Sequence, residues 1–479
     1  MSDSVSHKLF IDGRWRSGSR RADLPIMNPA TERHFGRVAV AAASDLDEAL
    51  TAARACLPRW SNTPARERGA LLVRAARMLK EKIDVAAAAL SEEQGKTIVE
   101  AKGEYTRAVD TLEWNGSQAE KLCCPVPIDQ NRMIVPEAVG VVAAFTPWNY
   151  PAVLNARKLA AALAAGCPVI LKGAEETPSA GVHIVRALEE AGLPAGAVSL
   201  MFGDPPMISE HLLGSSVVRA MSFTGSTAVG KQLAKLAANN LQRCVLELGG
   251  HSPVVVFDDT DISKAVAAIT AYKFECAGQS CNAPSRILVA RRIYEEFLVR
   301  LVDAAKGIKI GDPYDPETDM GPMANARRIE AMERLTRDAL DRGAKLEIGG
   351  RRLDQRGFYW PPTILTKVRP DSKVLREEPF GPILTVAPFG TIEEAIEEAN
   401  ATEYGLASYL FTESREIQSR MIRSLSAGAV SVNRLKGVSA DAPNAGINQS
   451  GYGYEGGVEG MRAFQNLKLV NMAGAPALG

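Results

Sequence analysis

The sequence lacks the features that mark several common protein classes. Its 479 residues contain 56 basic and 56 acidic side chains, so they carry no net formal charge. No overall field therefore favours nucleic acid or an anionic membrane surface. The alanine-rich stretch at 159–166 is too short to span a bilayer, and Arg157 and Lys158 precede it. We expect neither a nucleic-acid nor a membrane partner.

Cysteine and histidine are also scarce. The seven cysteines are an odd number spread thinly over the chain, which does not resemble a disulfide framework. The cysteines show no CxxC spacing and the five histidines form no HExxH motif, so the sequence predicts no metal site. The segment MSDSVSHKLFIDGRW lacks the basic start and apolar core of a secretory signal. We expect a reducing, cytoplasmic location.

What is present is the composition of a globular protein with sizeable cores. Hydrophobic residues make up 46% of the chain and charged residues 23%. At roughly 150 residues per domain, the length predicts about three domains. No low-complexity stretch, long linker or short internal repeat interrupts the chain.

Short β-branched runs alternate with helical segments from about residue 139. The first set of predicted strands covers 139–145, 168–172, 197–203 and 217–223, with a helix predicted at 151–166. The second set covers 252–257, 285–290, 383–389, 406–412 and 428–433. Strand–helix alternation with short connections predicts doubly wound parallel sheets. Two such α/β units leave a cleft between them, where ligands usually bind.

The flanking segments have a different pattern. The amino-terminal ~120 residues read mostly as amphipathic helix, for example at 45–57 and 65–83. Two outlying segments, 120–140 and 463–472, are short and strand-like. Outlying strands predict an edge that pairs within the domain or with another subunit.

Two motifs contain candidate reactive side chains. In FECAGQSCNAP (274–284), Cys281 follows a glycine turn that brings its thiol close to a ligand, although a lone cysteine is often a small buried hydrophobe. In VLELGGHSP (245–253), Glu247 ends an apolar strand. A half-desolvated carboxylate has a raised pKa and suits a general base, but it could also cap a helix or pair with arginine.

Two further motifs offer hydrogen-bond donors. In FTPWNYP (145–151), Asn149 lies between two prolines before a helix, where its amide could bind an oxyanion or merely cap the helix. In SFTGSTAVGK (222–231), a strand, a glycine turn and a helix start follow each other. Free N–H groups at that helix start could bind a phosphate, although the pattern alone is weak.

Six motifs occur in one order: FTPWNYP, LKGAEETP, FTGSTAVG, LELGG, GQSC and EEPFGP. In this the chain resembles the aldehyde dehydrogenase superfamily, from residue 28 to residue 457. The resemblance implies an α/β fold with a Rossmann-like NAD-binding domain (1–119 and 141–249) and an α/β catalytic domain (250–442). It also implies a small β oligomerisation segment (120–140 and 443–479) and a homodimer or homotetramer.

The resemblance implies a role for each reactive side chain. Cys281 is the nucleophile that attacks the aldehyde, Asn149 and the backbone N–H of Cys281 bind the oxyanion, and Glu247 activates the water that hydrolyses the thioester. Cys276 is the rival thiol, but only Cys281 matches the GQxC motif, so we interpret Cys276 as a packing residue.

The implied cofactor is NAD. Lys172 and Glu175 match positions that contact the adenosine ribose, where a carboxylate would repel a 2′-phosphate and so favour NAD over NADP. The other implied cofactor-binding residues are Thr146 and Trp148, Gly225 and Ser226 at the pyrophosphate turn, and Glu378 and Phe380 at the nicotinamide ribose.

The substrate is less closely defined. Arg157 matches a tunnel position at which an arginine pairs with the carboxylate of a semialdehyde. Arg434 and Lys436 lie in a loop that resembles the substrate entrance, and all three could instead be surface charges. Glu275 stands where succinate semialdehyde dehydrogenases have a second arginine and would oppose a short dicarboxylic substrate unless it pairs with Arg157. Asn444 stands where an aromatic side chain commonly lines the pocket.

Two other functions remain open at this point. One is a CoA-acylating aldehyde dehydrogenase, against which Glu247 argues because many such relatives lack that glutamate. The other is a structural or binding protein that kept the fold and lost the activity, since a fold does not guarantee a function.

Overall fold

The computed structural model describes residues 5–435 and 437–473, so Lys436 lies outside the described residues. The strands in chain order are β1 (Val5–His7), β2 (Leu9–Ile11), β3 (Arg14–Arg16), β4 (Asp23–Asn28), β5 (Arg33–Ala39), β6 (Val126–Asp129), β7 (Arg132–Ala138), β8 (Val141–Phe145), β9 (Val169–Lys172), β10 (Val198–Met201), β11 (Val218–Thr224), β12 (Arg243–Glu247), β13 (Pro253–Val256), β14 (Arg286–Ala290), β15 (Lys345–Ile348), β16 (Thr363–Thr366), β17 (Ile383–Phe389), β18 (Ala407–Phe411), β19 (Ala429–Val432), β20 (Gly451–Tyr452) and β21 (Gln465–Asn471).

The helices in chain order are α1 (Ala43–Asn62), α2 (Ala65–Glu81), α3 (Ile83–Gln94), α4 (Ile98–Cys123), α5 (Pro151–Ala165), α6 (Pro178–Glu190), α7 (Pro205–Gly214), α8 (Thr227–Ala238), α9 (Ile262–Lys273), α10 (Tyr294–Lys306), α11 (Ala326–Asp341), α12 (Lys373–Arg376), α13 (Ile392–Asn400), α14 (Arg415–Ser424) and α15 (Gly457–Arg462). Two 3₁₀ turns lie at Glu275–Gly278 and Asn448–Ser450. The predicted α/β class is confirmed.

The first large sheet has eight strands in the order β20-β12-β11-β8-β9-β10-β2-β3. The five strands from β12 to β10 are parallel, while β20, β2 and β3 pair antiparallel at the two edges. Every residue of β8 and β9 is buried, which is typical of a parallel strand covered by helices on both faces. The carboxyl ends of β8, β9, β11 and β12 therefore meet at one edge, where α/β sheets bind ligands.

The second large sheet has seven strands in the order β15-β16-β17-β14-β13-β18-β19. Its six strands from β16 to β19 are parallel, and only β15 pairs antiparallel. The first sheet draws its strands from residues up to 247 together with β20, and the second draws its strands from 253–432. The domain boundaries named above stay a prediction.

Two small sheets complete the described chain. Strands β21, β7 and β6 form an antiparallel sheet, and β1, β5 and β4 form another three-stranded sheet. Strands β1–β5 were not predicted. Of these, β1, β2 and β3 have only three residues each, and Asp12 and Gly13 in the turn between β2 and β3 both have positive φ. Among the described residues, no helix is long and apolar enough to cross a membrane.

Helix α5 positions much of the candidate site, and its ends follow from the local sequence. Pro151 occupies the first turn, where its fixed φ suits a helix start and its missing N–H has no intrahelical partner to lose. Gly166 ends the helix in the left-handed conformation with a φ of 93°. Thirteen of the fifteen residues of α5 are buried, so this helix lies inside the core.

Candidate active site

A cavity of about 690 Å³ is lined by loops that follow strands of both large sheets. It brings together Cys281, Glu247, Asn149 and Arg157, which are far apart in sequence. Five of the predicted cofactor residues also line it: Trp148, Gly225, Ser226, Glu378 and Phe380. Thr146, Lys172 and Glu175 lie outside the lining, at and after the ends of β8 and β9.

Cys281 is half-buried in this cavity, just after the 3₁₀ turn Glu275–Gly278. A Cβ on Gly250 would lie 2.2 Å from the carbonyl oxygen of Cys281, so only glycine lets the LELGG segment approach the cysteine this closely. The pKa of the Cys281 thiol is raised, first by burial and then by the negative charges of Glu378 and Glu247, while Arg157 opposes the shift. The thiol form therefore dominates unless a base accepts its proton.

Cys276 has a different environment and is not among the cavity-lining residues. It is buried at a backbone φ of 53°, and its thiol accepts a hydrogen bond from Nε2 of Gln94 at 3.2 Å. Its backbone N–H donates to Glu100 at 2.8 Å. Burial raises the pKa of this thiol to about 12. The contacts of Cys276 are those of a packing residue.

Glu247 ends β12 with its side chain buried in the cavity wall. Asn444 donates from Nδ2 to Oε2 of Glu247 at 2.7 Å, while Oε1 has no hydrogen-bond partner within the described residues. Burial, followed by repulsion from Glu455, raises the pKa of Glu247 well above its ordinary value, and Lys158 and Arg157 oppose the shift in part. This is the environment of a general base.

A buried ion pair behind Glu247 was missed by the sequence analysis. Lys158 contacts Glu455, 297 residues away in sequence, and donates from Nζ to Oγ of Ser222 at 3.0 Å. Ser222 in turn donates to Glu455 at 3.2 Å. A lysine at a buried position of an apolar helix requires a partner, and this signal was available in the sequence of α5.

Asn149 is fixed through both its main chain and its side chain. Its Nδ2 donates to the carbonyl oxygen of Gln279 at 2.9 Å, and its own carbonyl oxygen accepts from Nζ of Lys96 at 2.7 Å. Lys96 forms a buried ion pair with Glu104, which accepts from the backbone N–H groups of Ala152 and Val153 at the start of α5. The amide is thereby held at the cavity wall, next to the nucleophile loop.

Residues after β11 give the cavity the features of a dinucleotide site. A Cβ on Gly225 would lie 2.4 Å from the Phe223 ring, and Ser226 caps the start of α8 with an acceptor for Val229 N–H. Oγ1 of Thr224 is buried and has no hydrogen-bond partner in the part of the chain that the structure describes. A narrow turn, a helix start and an unpartnered hydroxyl fit a bound pyrophosphate.

Two aromatic rings and a carboxylate also line the cavity. Trp148 and Phe380 are packed edge to face with ring centroids 5.6 Å apart. Glu378 accepts from the backbone N–H of Gly250 at 3.0 Å, and burial raises its pKa to about 7.

The predicted adenosine-ribose residues also contact each other. Lys172 donates from Nζ to Glu175 at 2.7 Å, and Gly203 N–H donates to the same carboxylate at 2.8 Å. Thr146 donates from Oγ1 to Oδ1 of Asn155 at 2.7 Å, which fixes the loop after β8. Within the described residues, no group of three or more His, Cys, Asp or Glu side chains could hold a metal ion.

Charged side chains also line the cavity, and we call three of them, Arg107, Arg157 and Glu275, the charged wall. Nε of Arg157 is buried and has no hydrogen-bond partner among residues 5–435 and 437–473. Glu275 lies 3.8 Å from Nη2 of Arg107 and accepts from the hydroxyl of Tyr150 at 3.4 Å. The loop with Arg434 reaches the cavity through Gly437 and Val438, while Arg434 itself is exposed and outside the lining.

The chain matches known protein sequences along nearly its whole length. Residues 15–470 match the model of the aldehyde dehydrogenase family. The 4-(hydroxymethyl)benzenesulfonate dehydrogenase TsaD1 of Comamonas testosteroni is 41% identical over 97% of this chain and 98% of its own. The 3-sulfolactaldehyde dehydrogenase of Pseudomonas putida is 37% identical and the succinate semialdehyde dehydrogenase of Acinetobacter baylyi 36%, each over 98% of both chains.

Solved structures also match this chain along nearly its whole length. An NADP-dependent enzyme of E. coli superposes with a TM-score of 0.95 at 33% identity, over 98% of this chain and 99% of that one. A betaine aldehyde dehydrogenase of Staphylococcus aureus in complex with NAD⁺ superposes with a TM-score of 0.94 at 34% identity, over 99% and 96% of the two chains.

Proposed function

The chain belongs to the aldehyde dehydrogenase family, and from this we propose that it oxidises an aldehyde with an anionic far end to the acid, using NAD and the thiol of Cys281. As a member of this family, the chain is an NAD(P)-dependent enzyme that oxidises aldehydes. The observation that carries the finer proposal is one cavity, in which an arginine with an unpartnered buried Nε lies together with Cys281, Glu247 and Asn149.

The first step is addition of the Cys281 sulfur to the aldehyde carbon. The thiol gives up its proton to water, a C–S bond forms, and the carbonyl π electrons move to oxygen. The negative oxygen is stabilised by the Asn149 amide and the Cys281 backbone N–H, and a preformed donor of this kind is worth about 3–4 kcal/mol. The contacts of Asn149 to Gln279 and Lys96 keep its amide from reorienting during the step.

NAD(P), when bound at the turn after β11, supplies the hydride acceptor. Trp148, Glu378 and Phe380 line the same cavity as that turn and the cysteine, and they would hold the reactive end of the dinucleotide. Loss of hydride converts the adduct to a thioester on Cys281. Glu247 accepts a proton from water, the hydroxide adds to the thioester carbon, and the thiolate leaves as the acid forms.

The preference for NAD over NADP rests on Glu175. This carboxylate is held in place by Lys172 and by the Gly203 N–H. A fixed negative charge at the adenosine ribose accepts hydrogen bonds from its hydroxyl groups and repels a 2′-phosphate. Replacing Glu175 with Gln is expected to lower the ratio of kcat/KM with NAD⁺ to kcat/KM with NADP⁺.

The proposal that the substrate has an anionic far end depends on Arg157. A guanidinium with a buried unpartnered Nε fits a carboxylate or sulfonate ligand, whereas it would repel a cation. The names of the relatives describe both sulfonates and carboxylates, while betaine aldehyde is cationic. Similarity alone therefore leaves the charge of the substrate open, and Arg157 supports an anionic substrate.

The test compares succinate semialdehyde with butanal, which has the same carbon chain without the carboxylate. We expect NADH to form with NAD⁺ and no coenzyme A, the acid to be the product, and succinate semialdehyde to have the higher kcat/KM. A requirement for coenzyme A would favour the acylating alternative. Absence of NADH and NADPH across anionic, neutral and cationic aldehydes would favour a catalytically silent protein.

We propose that the chain forms a homodimer or homotetramer through the sheet β21-β7-β6. Val126, Ile128, Leu467 and Leu469 on its outer strands are all exposed by about half or more. Exposed apolar side chains on an edge sheet favour a protein contact. Light scattering should give two or four chains, and replacing Leu467 and Leu469 with Lys should lower that number.

The proposed location is a reducing cytoplasm, because all seven cysteines are free thiols.

A further inference from the structure

The proposed nucleophile lies in a tight turn of the backbone. Cys281 and Asn282 are the two central residues of this turn. Its closing hydrogen bond runs from the N–H of Ala283 to the carbonyl oxygen of Ser280 at 3.0 Å. A turn of this kind bonds only its outer residues to each other, so the carbonyl groups of its central residues need partners from elsewhere in the fold.

The hydroxyl of Tyr409 is such a partner. It donates to the carbonyl oxygen of Asn282 at 2.7 Å. Tyr409 belongs to β18, where it is paired with Val254 of β13 and Ser431 of β19, and it is only 2% exposed. Asn282 and Cys281 line the cavity, whereas Tyr409 is not among the lining residues. Tyr409 therefore contacts the turn from the core of the second large sheet.

A second tyrosine packs against the ring of Tyr409. The rings of Tyr272 and Tyr409 are edge to face, with centroids 6.0 Å apart and planes at 78°. Tyr272 lies one residue before the end of α9 and lines the cavity. The ring of Tyr409 is thus fixed by packing as well as by its strand, so its hydroxyl keeps one direction.

A buried tyrosine often bonds a nearby carbonyl only to satisfy its own hydroxyl. Here the accepting carbonyl belongs to the residue directly after the nucleophile. The carbonyl of Gln279, two residues before the nucleophile, accepts from the amide of Asn149 at 2.9 Å. The backbone is therefore held on both sides of Cys281, which limits rotation of the peptide group that carries the Cys281 N–H.

We propose that Tyr409 is a positioning residue whose hydrogen bond to Asn282 keeps the backbone N–H of Cys281 directed at the oxygen of the bound aldehyde. The inference rests on the proposed function, because that function assigns this N–H to the oxyanion. Donors fixed in advance stabilise developing charge without reorganising, and a misplacement of about 1 Å can cost about 10²-fold in rate. Tyr409 acts through Asn282 and not by contact with the substrate.

The experiment compares Tyr409→Phe with the matched control Tyr314→Phe. Each substitution removes one tyrosine hydroxyl that donates to a backbone carbonyl. The Tyr314 hydroxyl donates to the carbonyl oxygen of Ala88 at 2.6 Å, and Tyr314 does not line the cavity. The control therefore repeats the chemical change away from the nucleophile.

Two rates are measured for the unmodified enzyme and for both variants. The first is the burst of NADH formation with NAD⁺ and whichever of succinate semialdehyde and butanal the unmodified enzyme oxidises faster. An oxyanion forms in this reaction. The second is alkylation of Cys281 by iodoacetamide, followed by mass spectrometry of the peptide that contains it. There the sulfur displaces iodide, and no oxyanion forms.

Tyr409→Phe is expected to slow the NADH burst about tenfold, which is part of the roughly 10²–10³-fold cost of removing an oxyanion donor altogether. Alkylation of Cys281 should be unchanged, because the thiol keeps its place and this reaction needs no oxyanion donor. Tyr314→Phe should leave both rates unchanged. A general loss of folding would lower both rates together, so the comparison separates it from a loss of positioning.

Two results would overturn the inference. A burst in Tyr409→Phe as fast as in the unmodified enzyme would show that the Asn282 carbonyl needs no partner. A burst and an alkylation rate that fall by the same factor would show that Tyr409 supports the fold or the thiol, and not the oxyanion donor. In both cases the unmodified enzyme still forms NADH, so the proposed function survives; if the unmodified enzyme oxidises neither aldehyde with NAD⁺ or NADP⁺, both proposals fail together.

Discussion

The cavity contains two regions of opposite character, the reaction centre (Cys281, Glu247 and Asn149) and the charged wall. In the reaction centre, Glu247 and Asn149 are each fixed by hydrogen bonds of 2.7–2.9 Å with buried partners. In the charged wall, Nη2 of Arg107 lies 3.8 Å from Glu275, and Nε of Arg157 has no hydrogen-bond partner within the described residues.

The difference separates reaction from selection. Preformed hydrogen bonds lower a barrier because they need no reorganisation when charge develops. An incompletely partnered charge instead leaves binding capacity for a ligand. We therefore expect substitutions in the reaction centre to reduce turnover of every aldehyde, and substitutions in the charged wall to change which aldehyde is preferred.

The largest effect should come from the nucleophile. Cys281→Ala is expected to lower NADH formation by at least about 10³-fold with every aldehyde, because no thioester can form. NAD⁺ binding, measured by calorimetry, should persist. Cys276→Ala is the matched control and should stay active, since that thiol does not line the cavity. The opposite pattern would mean that Cys276 is the nucleophile.

The next effect should come from the base. Glu247→Gln is expected to slow steady turnover by about 10²-fold or more while a first burst of NADH still forms, because only hydrolysis of the thioester needs the base. Stopped-flow absorbance would measure the burst, which should approach one NADH per active site. Unchanged steady turnover would exclude Glu247 from this role.

A smaller and selective effect should come from Arg157. Arg157→Gln is expected to lower kcat/KM for succinate semialdehyde by about 10–100-fold, the cost of leaving a desolvated charge unpaired. Butanal should be affected far less. An equal loss of kcat/KM with both aldehydes would mean that Arg157 acts in the reaction centre. It would contradict the separation of the two regions.

The smallest effect should be a shift along the pH axis. Burial raises the pKa of Glu247, so the carboxylate is protonated and inactive at lower pH, and turnover should rise as the pH passes through that pKa. Asn444→Ala removes a donor that stabilises the charged form, so the rising limb should move to higher pH. A shift of about one to two pH units is expected, from about 1.5–3 kcal/mol per charged hydrogen bond and about 1.4 kcal/mol per pKa unit.

Control profiles for this shift come from the unmodified enzyme and from Glu247→Gln, in which the rising limb should be absent. A limb that persists in Glu247→Gln would belong to another group.

The two regions also differ in how far the sequence predicts them. Cys281, Glu247 and Asn149 lie in local motifs, each with glycine or proline at a defined spacing, and the structure places all three in one cavity. The central strands are equally local features, because a strand buried on both faces must be a continuous apolar run, as in β8.

Contacts between distant segments have no such local signal. Asn444 and Glu247 are 197 residues apart, and Lys158 and Glu455 are 297 apart, so only the folded chain shows that they meet. Lys96, Glu104 and Arg107 lie on or next to α4, within the segment predicted to be mostly helix, but no local pattern indicates which residues they contact. Glu275 was recognised as unusual, and its pairing with Arg107 became visible only in the structure.

The most direct test of the covalent mechanism is mass spectrometry of the Glu247→Gln variant after reaction with NAD⁺ and succinate semialdehyde. Trypsin should release residues 274–286, which contain both Cys276 and Cys281, and fragment ions between the two cysteines distinguish them. We predict that this peptide gains the mass of a succinyl group and that the group is on Cys281. An unmodified peptide after a full burst of NADH, or an acyl group on Cys276, would contradict the account.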